Sequence, residues 1–144
     1  MTSNIQIGNN TERTISSIFR QYGYWVYNCP RSNSGSQPVD FIAIKRNKAS
    51  NVYLCYLVDG KHVSTGKVSF TFDRIEPNQI ASMTYMSGFS NIDTDRLGFV
   101  IEFDRTNTFY WFSFTKYLEM SKEGKKSVNL ADLDLFEKEI SKND

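Results

Sequence analysis

Two consecutive apolar segments, residues 39–46 (VDFIAIKR) and 51–63 (NVYLCYLVDGKHV), each contain one aspartate. Apolar side chains alternate along the first segment with the period of two that is typical of a β-strand. A carboxylate in such a strand is costly to bury unless it is paired or bound to a metal. Asp40 therefore either lies outside the end of the strand or has a partner, and this choice constrains what the chain can fold into.

The short basic turn between the two segments predicts that they pair as antiparallel neighbours. Residues that face each other then have numbers with a constant sum, and a turn centred near positions 49 and 50 places Asp40 opposite residues 58–60. Asp59 and Lys61 lie two residues apart, so they point to the same side of their strand. We therefore expect Asp40, Asp59 and Lys61 to converge at one end of the hairpin.

The rest of the sequence predicts an α/β fold with a central mixed β-sheet flanked by helices. The second segment is apolar on both faces from Val52 to Val58, which is typical of a central strand that is covered on both sides. Asn9 or Asn10 can cap a first helix, and Gly23 can end it. The expected helices are 9–22, 77–89, 115–122 and 130–142; the other expected strands are 24–30, 96–104 and 109–114, with 66–72 either a short strand or an extended loop.

Length and composition favour a single domain over residues 1–144, because a chain of this size with 40% hydrophobic residues can bury a proper core. It has no run of 18 apolar residues, so no membrane span is expected. Its first residues lack the charged-then-apolar pattern of a signal peptide, which predicts a cytoplasmic protein with Cys29 and Cys55 reduced.

Charge is distributed unevenly along the chain. Residues 1–80 contain nine Lys or Arg and five Asp or Glu, for a net charge of +4, whereas residues 81–144 contain eight and eleven, for −3. A positive first half is suited to a polyanion such as nucleic acid.

Two carboxylates and an amine at one place have a chemical use in phosphodiester hydrolysis. Carboxylate oxygens bind Mg²⁺ together with phosphate oxygens of a substrate, and the carbonyl of Gly60 is placed to complete the metal shell. The ion polarises the scissile phosphate and activates water, while Lys61 can position that water and neutralise charge that builds on the phosphate. The residues thus predict a Mg²⁺ site that includes Asp40, Asp59 and Gly60.

The residues Pro38-Val39-Asp40 and Asp59-Gly60-Lys61, about twenty positions apart, resemble the PD-(D/E)xK nuclease motif. Residues 29–44 (CPRSNSGSQPVDFIAI) are similar to the segment before the motif aspartate in Holliday junction resolvases. Residues 68–89 and 97–118 resemble the downstream half of RecU-like resolvases, with a Ser-Phe segment, a helix that opens with a glutamine and a strand pair. The likeness extends from about residue 8 to residue 118.

This resemblance implies a restriction-endonuclease-like core and a metal-dependent endodeoxyribonuclease that cuts branched DNA as a homodimer with twofold symmetry and leaves 5′-phosphate ends. The implied cofactor is Mg²⁺, with Mn²⁺ as an alternative. The sequence departs from the RecU-like pattern in having Asp59 where glutamate is usual and in lacking a basic N-terminal extension. Carried over position by position, the resemblance implies catalytic roles for Glu12, Asp40, Asp59, Lys61 and Gln79, with Glu12 as an additional metal ligand.

Contacts with the DNA backbone are expected from basic and polar residues in and around the two apolar segments, because phosphate contacts position a protein on DNA without selecting a sequence. A solvated basic surface is the alternative. His62 is expected to face solvent, and Trp25, Tyr27, Trp111 and Phe112 are expected in the core. The candidate DNA contacts are Arg31, Ser34, Lys45, Arg46, Lys48 and Lys67.

Simpler roles are open for each candidate residue. Asp59 and Gly60 form a dipeptide that is common in hairpin turns, Glu12 in a first helical turn favours the helix dipole, and Gln79 can cap its own helix. At the level of function, the alternatives are a nuclease of the same fold with another DNA target, as in restriction or repair, and a non-catalytic DNA-binding domain on a decayed nuclease fold.

Overall fold

The computed structural model describes residues 4–30, 37–90, 92–104 and 106–142. These residues form eight strands and four helices, connected in part by short 3₁₀ turns. In chain order the elements are α1 (Asn4–Gln21), β1 (Trp25–Asn28), β2 (Phe41–Asn47), β3 (Val52–Val63), β4 (Ser69–Thr71), α2 (Pro77–Ser87), β5 (Leu97–Phe103), β6 (Thr108–Ser113), α3 (Phe114–Lys122), β7 (Ser127–Asn129), β8 (Asp134–Leu135) and α4 (Phe136–Ser141).

Six of the described strands form one mixed sheet in the order β1-β2-β3-β5-β6-β8. β3 and β5 are parallel, and the other neighbours in this sheet are antiparallel. The connection between the two parallel strands contains β4 and α2, and β4 pairs with β7 in a separate two-stranded sheet. The expected α/β fold with a central mixed sheet and flanking helices is therefore confirmed.

The β2–β3 hairpin has the predicted register. Phe41 lies opposite Val58, so the paired residue numbers sum to a constant that places Asp40 opposite Asp59. The turn is stabilised by Asn47, whose side-chain oxygen accepts hydrogen bonds from the backbone N–H groups of Ala49 and Ser50. Asn51 ends the turn with a φ of 58°, a backbone conformation that asparagine tolerates better than most residues.

Two buried clusters lie on opposite sides of the sheet. On the side that we call the α1 face, Ile15 and Phe19 of α1 pack against Phe41 and Val58. On the opposite side, the α2 face, Met83 of α2 packs in a cluster that is rich in phenylalanine and reaches α3. Because alternate residues of a strand point to opposite faces, each strand residue can be assigned to one face from these clusters.

Two helices differ from the sequence-based expectation. α1 begins at Asn4, so Asn9 and Asn10 lie inside the helix and neither is its cap. The capping prediction was wrong because the additional turns extend the helix along the sheet, where Ile7 and Gly8 line a cleft beside β3. Residues 130–142 do not form one helix: Asn129 accepts a hydrogen bond from the Ala131 N–H and starts a 3₁₀ turn. β8 then pairs with β6, and α4 follows.

The prediction that β3 is covered on both sides from Val52 to Val58 was also wrong for the first half of that range. β5 pairs with β3 from Leu57 onward, so the earlier part of β3 extends beyond the parallel pair. There the α2 face is open, and Tyr53 is 69% exposed. Trp25 and Tyr27 on β1 belong to the same open region and are exposed, not core, whereas Trp111 and Phe112 are buried as expected.

Gly98 is required by the close approach of β5 and β6, because a Cβ atom there would lie 2.4 Å from the Phe112 carbonyl oxygen. No helix in the described part of the chain is both long and apolar enough to cross a membrane.

Candidate active site

The carboxylates of Asp40 and Asp59 each accept a hydrogen bond from a backbone N–H of the opposite segment of the hairpin. The Asp40 backbone N–H donates to Oδ1 of Asp59 at 2.9 Å, and the Gly60 N–H donates to Oδ2 of Asp40 at 2.8 Å. The sequence left two possibilities for Asp40, a place outside the end of the strand or a bonding partner, and both apply. Asp40 precedes the first residue of β2, and it also has a partner. The hairpin register alone is enough to hold both carboxylates at one place on the α2 face.

The Asp59 carboxylate is buried and incompletely bonded. The residue is 1% exposed, and within the described part of the chain its Oδ2 atom has no hydrogen-bond partner. Burial first, and then the negative charges of Asp40 and Glu12, raise the pKa of the Asp59 carboxyl well above its usual range. Lys61 and the N–H of Asp40 oppose this shift of the pKa. A bound cation would offset the burial of this carboxylate and its repulsion by Asp40 and by Glu12, so the residues fit a divalent metal ion.

Lys61 is fixed by a residue from another element. Its Nζ atom donates to Oε1 of Gln79 on α2 at 2.8 Å. The same Gln79 oxygen accepts a hydrogen bond from the Glu76 N–H at 3.2 Å and forms part of a capping box at the start of α2. The two roles considered for Gln79 are therefore compatible: it caps its helix and holds the lysine ammonium beside the carboxylates.

Glu12 approaches the site from the α1 face. A Cβ atom placed on Gly60 would lie 3.8 Å from Cγ of Glu12 and 2.9 Å from Cδ1 of Ile15. The absence of a side chain at Gly60 thus lets α1 lie directly over β3, which brings Glu12 close enough to raise the pKa of Asp59. The role of Glu12 as a metal ligand stays a prediction.

Cys29 is a neighbour of Asp40 and Asp59, which we call the acidic pair. Sequence reasoning did not place this cysteine in the site. Its N–H donates to the Asp40 carbonyl at 2.9 Å, which continues the row of Asp40 and Asp59 onto the end of β1. Burial, followed by the charges of Asp40 and Asp59, raises the pKa of the Cys29 thiol. The position of Cys29 beside Asp40 follows from the register of β1 on β2, so it could have been predicted once both strands were known.

His62 does not face solvent as expected. Its Nε2 atom lies 2.9 Å from Oδ1 of Asp104, and the side chain is 15% exposed. One ligand atom from each of His62, Glu102 and Asp104 lies within 4.8 Å of the others, but Glu102 also accepts a hydrogen bond from Thr11 at 2.6 Å. These contacts satisfy the groups without a cation, and the cluster is on the α1 face, opposite Lys61.

A cleft of about 550 Å³ opens beside Lys61 and His62 and includes Lys67 and Arg74 in its lining. The Arg74 guanidinium donates to the His62 carbonyl and lies 5.6 Å from the centre of the Phe70 ring, so Arg74 is held facing this cleft. Sequence reasoning did not select Arg74, because an arginine outside any motif gives no signal until the fold places it. Lys67 lines the same cleft, and its role as a DNA contact stays a prediction.

The other predicted DNA contacts are spread around the β2–β3 hairpin. Lys45 donates to the Tyr22 carbonyl at 2.7 Å, so its ammonium already has a structural partner. Arg46 donates to the side chain of Asn51 at 2.8 Å, and Lys48 is exposed in the turn. Arg31 and Ser34 lie outside the described residues.

The fold defines the class of protein, a mixed α/β domain whose fold matches that of known nucleases. Among solved structures, the chain is similar to Hjc, a Holliday junction resolvase from Archaeoglobus fulgidus, with a TM-score of 0.61 and 11% identity over 92% of this chain and 99% of that one. It is also similar to D212, a nuclease from a fusselovirus, with a TM-score of 0.55 and 14% identity over 98% of this chain and 93% of that one.

At these identities the two likenesses establish the fold. No protein-family model matches the chain, and no curated protein matches its sequence. The similarity to these nucleases is therefore one of fold.

We expect Asp59→Asn to stabilise the metal-free protein at neutral pH. The raised pKa means that folded Asp59 keeps a proton which the unfolded chain releases, so the contribution of this residue to the free energy of unfolding falls as pH rises above about 3.9, the pKa of an ordinary aspartate. An asparagine has no charge to bury and can donate to Asp40. The expected gain is about 1–3 kcal/mol, measured by urea unfolding in EDTA between pH 4 and pH 8.

The difference between Asp59→Asn and wild type should shrink as the pH approaches 4. Asp134→Asn, at an exposed position in β8, is the matched control and should follow the wild type at each pH. A wild-type protein more stable than Asp59→Asn at pH 8 in EDTA would contradict the proposed cost of burying this carboxylate.

Proposed function

We propose that this protein is a divalent-metal-dependent endodeoxyribonuclease that cleaves branched DNA in the manner of a Holliday junction resolvase. The observation that carries the proposal is the buried Asp59 carboxylate, which accepts a hydrogen bond from the Asp40 N–H and has one oxygen without a hydrogen-bond partner among the described residues. A site with this excess of negative charge is stabilised by a cation, and Lys61 lies two residues away on the same face.

In this proposal the side chains of Asp40, Asp59 and Glu12 and the carbonyl of Gly60 hold Mg²⁺, or Mn²⁺ in its place. When bound, the ion polarises the scissile phosphodiester and favours attack by water. The chain itself contributes orientation, because the backbone hydrogen bonds of the hairpin fix both aspartates before any substrate arrives.

Lys61 provides a positive charge beside the reacting phosphate. Its ammonium group is held by Gln79, which leaves its remaining protons free to orient water or to bind a phosphate oxygen. Such a fixed donor lowers the energy of the negative charge that develops in the transition state. Gln79 is a positioning residue, since it acts through Lys61.

Branched DNA as the substrate class is supported by the RecU-like resemblance and by the name of the Archaeoglobus fulgidus neighbour. Resolvases cut two strands related by a twofold axis, so we propose a homodimer with twofold symmetry. The backbone phosphates would be bound by Lys67 and Arg74 in the cleft, by Arg46 and Lys48 at the hairpin, and by Arg31, Ser34 and Lys45.

The first experiment is cleavage of a labelled four-way junction and of a linear duplex with matched sequence, in Mg²⁺ and in EDTA. We expect symmetric, Mg²⁺-dependent cuts in the junction by wild type and by the Asp134→Asn control. Asp59→Asn should lower the rate at least about 100-fold, because it removes a charged ligand from an ion that contributes several kcal/mol to the transition state.

Two other outcomes of this cleavage experiment would contradict the proposal. Equal Mg²⁺-dependent cutting of junction and duplex would indicate a nuclease with another DNA target and would contradict the resolvase proposal. Junction binding by wild type without cleavage in Mg²⁺ or Mn²⁺ would contradict the nuclease proposal itself and favour a DNA-binding domain.

We expect Gln79→Ala to lower the cleavage rate about 10- to 100-fold with little change in the Mg²⁺ concentration that gives half-maximal rate. The reason is that Gln79 orients Lys61 and is not itself a proposed ligand of the ion. Gln79→Glu keeps both an acceptor for Lys61 and the capping box, so it should restore most of the rate. Thermal unfolding of both variants separates lost helix capping from lost catalysis, and equal rates for Gln79→Ala and wild type would show that the contact has no role.

A further inference from the structure

Two aromatic side chains on β1 are exposed side by side. Trp25 is 60% and Tyr27 is 45% exposed, although large aromatic rings are usually buried. Their ring planes are within 15° of parallel, and their centres are 6.2 Å apart. We call these two residues the aromatic pair; neither has a role in the site described above.

The topology of the sheet produces this exposure. β5 pairs with β3 only from Leu57, so β1, β2 and the first half of β3 project beyond the parallel pair of strands. On the α1 face of this projection Val26, Ala43 and Tyr56 are buried with α1. On the α2 face Cys55 and Tyr53 are exposed like the aromatic pair. The sheet thus presents one open apolar face, and the aromatic pair lies at its outer edge.

The open face is continuous with the acidic site. Tyr27 lies opposite Ile42, which lies opposite Leu57, and the next row on the same face is the one that contains Asp40 and Asp59. Successive rows on one face are about 7 Å apart, so Tyr27 is one row and Trp25 two rows from the carboxylates along the strand direction. A few nucleotides span this distance, since stacked bases rise about 3.4 Å each.

The charge of the same region favours a polyanion. In residues 1–58 the sequence contains two acidic residues, Glu12 and Asp40, and both belong to the candidate site. Of the six basic residues in the same range, Arg46 lies opposite the exposed Tyr53 at the far end of the open face, whereas Arg13 and Arg20 belong to α1 on the other side of the sheet. Basic groups together with exposed aromatic rings are the combination that binds single-stranded nucleic acid, because any base can stack on a ring while its phosphate meets a cation.

We propose that the aromatic pair is a stacking platform for unpaired nucleobases of the strand that enters the active site. This inference rests on the proposed nuclease function and adds how the protein selects its substrate: flaps and other single-stranded segments of branched DNA offer bases that are free to stack, whereas a fully paired duplex does not. A second copy of the chain is the competing occupant of this face. The nucleobase is favoured because the face runs into the acidic site and carries cationic residues at its other end.

The test measures binding of fluorescently labelled DNA in EDTA, where cleavage is prevented. The probes are a short single strand, a four-way junction, a duplex with a single-stranded flap and a fully paired duplex. The double variant Trp25→Ala/Tyr27→Ala is compared with the wild type, with Trp25→Phe/Tyr27→Phe, which keeps two rings, and with Tyr85→Ala, which removes a still more exposed ring on α2.

We expect the double alanine variant to lose at least about tenfold in affinity for the single strand and the flapped duplex. Affinity for the paired duplex should change less than twofold, and the phenylalanine and Tyr85→Ala variants should behave like wild type. Emission from Trp25 should be quenched by the single strand, while the buried Trp111 gives the residual signal.

Three results would overturn the inference: unchanged affinity for all four probes, equal losses for paired and unpaired DNA, or a shift from dimer to monomer in the alanine variant with no change in DNA affinity. The last result would assign the face to a second copy. Failure of the proposed function looks different, since wild type would then cut no DNA in Mg²⁺ or Mn²⁺. If the wild type cuts DNA and the alanine variant binds DNA as tightly as the wild type, the stacking platform is rejected but the nuclease function is not.

Discussion

The backbone hydrogen bonds that the carboxylates of Asp40 and Asp59 accept across the hairpin are the constraint on which the rest of the structure depends. Each aspartate accepts a backbone N–H from the opposite strand, so the site forms only if β2 and β3 pair in one register. A slip of one residue between the strands would turn one of the two carboxylates to the other face of the sheet. The apolar alternation of β2 and the asparagine-rich turn after it therefore specify the fold and the site together.

The helices complete the site from both faces of the sheet. α1 can approach β3 because Gly60 has no side chain, and it brings Glu12 toward the acidic pair. α2, in the crossover between the two parallel strands, brings Gln79 to Lys61. Energetically the site is unfavourable without a cation, since it concentrates carboxylates in a buried place and leaves one oxygen of Asp59 unsatisfied among the described residues. Such local instability is common where a protein holds charges for function.

Much of the candidate site could be predicted from sequence, because the β2–β3 hairpin that forms it consists of residues close together in the chain. The convergence of Asp40, Asp59 and Lys61 follows from strand period and turn position, and the structure confirms it. Features that depend on distant pairing could not be predicted in this way. The segment expected as one helix over 130–142 is divided because β8 pairs with β6, about 25 residues earlier in the chain.

The dependence on distant strand pairing also explains why the exposure of two aromatic residues was predicted wrongly. Composition predicts that Trp25 and Tyr27 are core, yet their exposure depends on where β5 begins to pair with β3, which no local pattern in β1 records. His62 was expected in solvent for a similar reason, since its partner Asp104 follows a strand about forty residues away. The contacts that sequence reasoning missed are those made between elements far apart in the chain.

The most direct test of the central claim is calorimetric titration of Mg²⁺ into the DNA-free protein. If the acidic pair is the cation site, wild type and His62→Ala should bind Mg²⁺ alike, and Asp59→Asn should lose most of that binding. Binding that is unchanged in Asp59→Asn and lost in His62→Ala would place the cation with Glu102 and Asp104 and contradict a cation site at Asp40 and Asp59.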